Sequence, residues 1–310
     1  MRIFVAGGSG VLGRPLVRAL VDQGHQVTAT TRSADTAARV HRLGAEAVVL
    51  DALDADAVRT AVTRARPEGL VNQLTSLSTP ASDYGAWLET TNRLRAEAGR
   101  TLVLAAREAG TRRVVAQSAS FMTAPDAPAP TDEWSPLYTS APGPLLGHVL
   151  ANTALEDVVT GTPGIEGVVL RYGFLYGPGT ALGPGGDLAE AVRTGALPVV
   201  GDGSGHYPFV STDDAVAATV LAVDRGSPGV YNVVDDDPAA QAVWVPYLAD
   251  LLGGPAPEHV SEAEALERVG VQAVYYGARL RAASNARAKA ELGWVPRHPS
   301  WREGFRTVFR

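Results

Sequence analysis

Gly8-Ser9-Gly10-Val11-Leu12-Gly13 reads G-x-G-x-x-G, and Gly7 extends it to an overlapping G-x-x-G-x-x-G. Glycines at this spacing allow a tight turn, close approach of backbone to a pyrophosphate, and packing of the next helix on the preceding strand. The helix N-terminus then offers free N–H groups and positive dipole to the phosphates. The pattern is informative only between a strand and a helix, and here it has both. A dinucleotide is therefore expected on Gly7, Ser9, Gly10, Val11, Leu12 and Gly13. About 20 residues further on, NAD binders place an acid for the ribose 2′-hydroxyl. This chain has Thr30-Thr31-Arg32-Ser33 there. Arg32 suits a 2′-phosphate, so NADP(H) is expected ahead of NAD, the alternative being a solvated loop arginine. Asp51 has two open readings, a partner for the adenine amino group or a strand-end cap.

Other chemistries are closed by composition. The chain of 310 residues has no cysteine, which removes disulfides, zinc–thiolate sites, iron–sulfur clusters and cysteine nucleophiles. Its six histidines are scattered, with no pair at metal-binding spacing, so no metal is expected. A net charge of −6 makes nucleic acid a poor partner. No run reaches the roughly 18 apolar residues of a membrane span, and the glycine turn follows Met1 too closely for a signal peptide. A cytoplasmic enzyme is expected.

The elements that must position these residues alternate. Ile3–Ala6 is an apolar strand, and Leu12, Leu16, Val17, Leu20 and Val21 recur at helical spacing, with Pro15 early and Gly24 at the end. Strands are expected at Gln26–Thr31, Ala47–Leu50, Leu70–Leu74, Arg113–Gln117 and Val168–Arg171. Helices are expected near Ala34–Leu43, Val58–Val62, Thr91–Glu108 and Gly147–Thr160. This rhythm implies an α/β fold, a Rossmann-like doubly wound parallel sheet with a smaller C-terminal substrate-binding domain. Residues 1–175 would form the cofactor domain, with a returning segment near 205–235. Residues 176–310 would be mainly the substrate or lid domain. Met122–Pro144 reads as a long loop whose Trp134 and Tyr138 would cover a substrate. Asp213-Asp214 reads as a helix cap, and Asp235-Asp236-Asp237 as a solvated turn.

The chain resembles the extended short-chain dehydrogenase/reductase superfamily, in its NAD-dependent epimerase/dehydratase branch. The resemblance runs through the glycine turn, Asp51, Asn92 with Gly99-Arg100-Thr101, and Leu170-Arg171-Tyr172-Gly173-Phe174-Leu175-Tyr176-Gly177-Pro178. It continues with Gly201-Asp202-Gly203, Asp213-Asp214-Ala215, Tyr231-Asn232-Val233, Ser284-Asn285 and Glu291-Leu292-Gly293-Trp294-Val295-Pro296. It implies cofactor contacts from Ala52, Leu74, Gln117, Asn152, Tyr172 and Phe174, and a homodimer through the long helices.

The family's catalytic pattern is a Ser or Thr after the fifth strand and a Tyr-x-x-x-Lys pair on the next helix. Lys289 is the only lysine here and lies far downstream. Counted back from Glu156, the pair falls on His148 and Asn152. The hydroxyl position falls at Ala119, between Ser118 and Ser120. Histidine has an ordinary pKa of about 6.5 and can move protons, so His148 is a candidate acid or base, against a plain helix residue. Ser118 or Ser120 would orient a substrate oxygen, or serve only as a strand-end cap. Tyr172 and Tyr176 would line the pocket. The segment Gly203–Phe209 has no arginine for a sugar diphosphate, so a smaller substrate, not a sugar nucleotide, is expected. His206 reads as an exposed loop histidine. The expected activity is an NADP(H)-dependent reductase or epimerase on a small carbonyl or hydroxyl compound. The alternatives are a non-redox isomerase, cyclase or lyase, and a non-catalytic NADP(H) sensor.

Overall fold

The computed structural model describes residues 1–76 and 84–310, with backbone only at 84–87. Its main sheet has strands β1 (Arg2–Ala6), β2 (Gln26–Thr31), β3 (Glu46–Val49), β4 (Gly69–Asn72), β5 (Arg113–Ala119) and β6 (Glu166–Tyr172), with a seventh strand at Gly229–Val233. The spatial order is 3-2-1-4-5-6-7, and all pairs are parallel. Parallel neighbours need crossovers, which helices supply. These are α1 (Gly13–Asp22), α2 (Ala34–Arg42), α3 (Ala55–Ala65), α4 (Tyr84–Arg93), α5 (Gly99–Glu108) and α6 (Pro144–Gly161).

Alternation along each strand feeds two helical layers. In β1, Ile3 and Val5 join a core with Leu16, Val17 and Leu20 of α1. Phe4 and Ala6 face the other way, onto Val62 of α3, Leu102 of α5 and Leu155 of α6. The first layer also takes Val216 and Ala222 from α8, a helix at Thr212–Asp224 that follows α7 (Asp187–Arg193). A separate core gathers Tyr176, Phe209, Trp244, Trp301 and Phe305 from the C-terminal half. The sheet flanked by helices, with that C-terminal region beside it, is a Rossmann-like fold. No helix of the described residues is long and apolar enough to cross a membrane.

Local departures have physical causes. The expected helix Thr91–Glu108 begins earlier and is interrupted by a π-turn at Leu94–Ala98. Ser211, and not the Asp213-Asp214 pair, caps α8, its Oγ accepting from the Asp214 N–H at 3.0 Å. Asp214 is buried and accepts instead from the N–H groups of Arg297 and His298, at 2.7 and 3.1 Å. Asp235 is not solvated: it is 3% exposed, because the chain leaving the seventh strand passes under the helix Trp301–Val308. Trp134 is 73% exposed and lies against the Arg287 guanidinium. Tyr138 stacks on Tyr275.

Candidate active site

The glycine turn is shaped by contacts that leave no room for side chains. Gly7 has φ +85°, a left-handed conformation, and its N–H donates to Thr30 Oγ1 at 3.0 Å. A Cβ on Gly8 would lie 2.5 Å from Ala29 Cβ, and one on Gly13 would lie 2.0 Å from the Gly7 carbonyl oxygen. The start of α1 has neither a side-chain cap nor an acid in its first turn. Among the described residues no backbone hydrogen bond engages the N–H groups of Val11, Leu12 and Gly13, which can meet an anion beside Ser9 and Gly10, whereas the Arg14 N–H donates to the Gly10 carbonyl at 3.0 Å and Pro15 has none. The residues present fit the pyrophosphate of a dinucleotide.

At the adenosine end, the Thr31 hydroxyl donates to Ser9 Oγ at 3.1 Å and also contacts the Thr36 hydroxyl. Arg32 is exposed, and no hydrogen bond or ion pair holds it among the described residues. Asp51 is exposed and uses Oδ1 to accept the Leu53 N–H at 2.9 Å. Ala52 packs with Leu94 and Ala98, and Leu74 lies against the same cluster.

The carboxyl ends of β5 and β6 carry a buried polar network. Arg171 and Glu156 form a two-pronged ion pair, Nη2 to Oε2 at 2.6 Å and Nε to Oε1 at 2.8 Å. Ser118 Oγ donates to Glu156 Oε1 at 2.6 Å and lies 3.0 Å from Asn152 Oδ1. Asn152 Nδ2 donates to the His148 carbonyl at 2.8 Å. Ser118 and Asn152 thus spend their polar atoms inside the protein, joining β5 to α6. Ser120 Oγ donates to the Tyr172 carbonyl at 3.2 Å. Gln117 is buried on β5. The Tyr172 hydroxyl is bonded to Thr219 at 2.6 Å and to Gln73 Nε2 at 3.1 Å, and burial pushes its pKa up to about 12. Tyr176 is fully buried against Phe305, with no surface left to line a pocket. Phe174 is half-buried and stacks on Phe121 at 4.3 Å. His206 is exposed, its ring held by the Ser204 carbonyl at 2.8 Å.

His148 is buried beside a cation. Arg95, in the π-turn Leu94–Ala98, places Nη1 at 3.0 Å from His148 Nδ1 and 3.3 Å from Nε2. Asn92 Oδ1 lies 3.1 Å from Nδ1. Burial, and then the Arg95 charge, hold the imidazole pKa well below its usual value. At neutral pH the site therefore presents a neutral imidazole and a guanidinium. It can bind or stabilise negative charge, but it holds no imidazolium ready to give up a proton. Sequence reasoning missed Arg95. A signal existed, because Thr91, Arg95, Ala98 and Leu102 form one inward stripe, on which arginine is out of place.

Residues 3–233 match the model of the NAD dependent epimerase/dehydratase family. The 3-diazoavenalumate denitrifying reductase of Streptomyces sp. is 44% identical over 98% of this chain and 99% of its own length. A 4-hydroxy-2-methyl-3-oxo-4-farnesyl-3,4-dihydroquinoline-1-oxide ketoreductase of Stigmatella aurantiaca is 31% identical over 82% of this chain and 74% of its own. Among solved structures, the UDP-glucose 4-epimerase of Thermus thermophilus in complex with NAD is 25% identical, with TM-score 0.73, covering 100% of this chain and 98% of that one.

Two expectations are overturned by these matches. The cofactor of the matched structures is NAD, not NADP(H), as in the Thermus complex and in others of the same fold. Physically, an exposed Arg32 held by nothing is no evidence for a 2′-phosphate. The exclusion of a sugar nucleotide also falls, since the matched folds include enzymes named for UDP- and dTDP-sugars. An arginine missing from Gly203–Phe209 excludes nothing when a guanidinium reaches the site from another element, at Arg95.

Proposed function

The chain belongs to the NAD dependent epimerase/dehydratase family and is an enzyme of the oxidoreductase/epimerase type; on that footing we propose that it is an NADH-dependent reductase of a small aromatic electrophile. The electrophile is of the diazo class for which its 44% identical relative is named. The observation that carries this reading is the neutral His148 beside Arg95 where the family's proton-transferring tyrosine would stand. NAD(H), when bound, supplies the hydride. Replacing the dinitrogen of an arenediazonium ion by that hydride gives an arene, N2 and the oxidised cofactor. The balance needs no proton, so the loss of the Tyr-x-x-x-Lys pair costs this reaction nothing. Residues of the turn Gly7–Gly13 hold the pyrophosphate, and the substrate lies between the cofactor domain, 1–175, and the remainder, 176–310.

The test uses NADH deuterated at its transferred position and an arenediazonium salt. Deuterium should enter the arene at a rate proportional to protein and well above the uncatalysed background. An unlabelled arene, or a rate that does not depend on protein, rejects the reading.

A second reading is carbonyl reduction with His148 giving the proton and Ser120 orienting the oxygen. It is favoured by the 31% identity to a ketoreductase, and it requires His148 to take up a proton against the burial and the Arg95 charge that keep its ring neutral. It requires NADH oxidation by a ketone that is lost in His148→Phe while NADH affinity is kept.

A further inference from the structure

Three arginines are buried among the described residues, Arg95, Arg113 and Arg171. Two of them donate to oxygen, although the Arg113 Nε–H, like that of Arg95, has no partner. Arg171 pairs with Glu156, and Arg113 donates to the carbonyls of Arg225 and Gly226 at 2.9 and 2.6 Å. Arg95 differs. It is 6% exposed, forms no ion pair among the described residues, and donates only to the neutral ring of His148. Its Nε–H has no partner.

A guanidinium carries five N–H donors, and burying it without an anion is strongly unfavourable. Such a group is retained where an anion arrives to complete it. The fork of a guanidinium matches a carboxylate with two parallel hydrogen bonds. A cluster of aromatic rings is linked to it through Tyr276. Phe121, directly after Ser120, stacks on Phe174 at 4.3 Å, and Tyr276 meets both rings edge-on, at 6.1 and 5.6 Å. The Tyr276 phenol is within electrostatic reach of Arg95.

We propose that Arg95 receives the carboxylate of the substrate, and that the substrates are aromatic acids whose ring lies against Phe121, Phe174 and Tyr276. This rests on the aromatic-electrophile reading above and narrows it to compounds with a free acid. His148 positions the guanidinium by accepting from it at one ring nitrogen.

The test measures binding, not turnover. 4-Hydroxycinnamate, its methyl ester and UDP are titrated calorimetrically into the NAD⁺-loaded protein. The acid should bind at least tenfold more tightly than the ester or UDP. That preference should vanish in Arg95→Gln and survive largely in Arg95→Lys. Equal affinity of acid and ester in the wild-type protein overturns the proposal, whether or not the variants fold. So does a preference that persists in Arg95→Gln. Tight UDP binding that is lost in Arg95→Gln also overturns it, and assigns the guanidinium to a diphosphate. Because cinnamate cannot accept hydride as a diazonium does, failure of hydride transfer and failure of acid recognition are read separately.

Discussion

Arg95 Nη1 stands 3.0 Å from one ring nitrogen of His148 and 3.3 Å from the other, with both side chains buried. Assigning the Asn92 amide oxygen as acceptor puts the imidazole proton on Nδ1 and leaves the Nε2 lone pair toward the guanidinium. A second proton would set two cations side by side in a site with little water. The pKa is therefore held down, by burial first and by Arg95 second.

A direct consequence is the pH dependence of turnover. Activity that relies on a neutral His148 should be level from about pH 6.5 upward and fall only in acid. An imidazolium donor with an ordinary pKa would give the reverse, a decline as pH rises through about 6.5. The dependence of kcat/KM on pH between 5 and 9, in wild type and His148→Gln, separates them. Stability follows the same sign. Below about pH 6.5 the unfolded chain binds a proton at His148 that the folded chain refuses, so the wild type loses stability on acidification relative to the variant.

Gly13→Ala should damage the cofactor site more than its small size suggests. The new Cβ would lie 2.0 Å from the Gly7 carbonyl oxygen, and backbone cannot yield that distance cheaply. Relief requires α1 to move off β1, which displaces the N–H groups aimed at the pyrophosphate. Overpacking of this kind costs about 1–3 kcal/mol. Nicotinamide fluorescence should report NADH affinity weakened by about tenfold or more, the equivalent of roughly 1.4 kcal/mol. Unchanged affinity would show that the turn does not carry the cofactor.

Arg32→Ala should do almost nothing to NADH. The side chain is exposed and unheld, and surface changes of that kind stay within about 0.5 kcal/mol. NADH affinity should move by no more than about twofold. A larger loss would mean that Arg32 closes on the ribose when the cofactor binds.

The contrast between Gly13 and Arg32 shows what was legible in the sequence. The turn, β1 and α1 are local: glycine spacing, a strand's apolar run and a 3.6-residue period all lie within the first 22 positions. The parallel, doubly wound sheet followed from the alternation of strands and helices. Arg32 was ambiguous because a type of residue at a strand end does not say whether anything holds it. Ser118 was legible as a strand-end hydroxyl, but its partners lie 34 and 38 residues downstream, on α6. Arg95 was not singled out, although its place on the stripe with Thr91, Ala98 and Leu102 marks it as inward. Its freedom from any carboxylate is purely tertiary. The same holds for Asp235: three aspartates before a proline look solvated until a distant helix covers the first of them.

That covered aspartate makes the last prediction. Asp235 Oδ1 accepts the Asp237 N–H at 3.2 Å, while Oδ2 has no partner. The Tyr176 hydroxyl and Trp301 Nε1 are also buried without partners. Burial, helped by the neighbouring charges of Asp237 and Asp236, pushes the Asp235 carboxyl up to about 8. Unfolded, it would titrate near its ordinary value of about 3.9. Between these two values the folded chain holds a proton that the unfolded chain has released. The folded state binds more protons there, so Asp235 lowers stability progressively as pH rises from about 4 to about 8. Asp235→Asn keeps the acceptor for Asp237 and removes the titration. Its melting temperature should gain on the wild type as pH rises, by about 2–4 °C for each kcal/mol of the Asp235 penalty that is removed. The comparison cancels the other carboxylates, including Asp237, which pairs with Arg302. Melting curves that run parallel from pH 5 to 9 would show that Asp235 is ionised in the folded protein throughout.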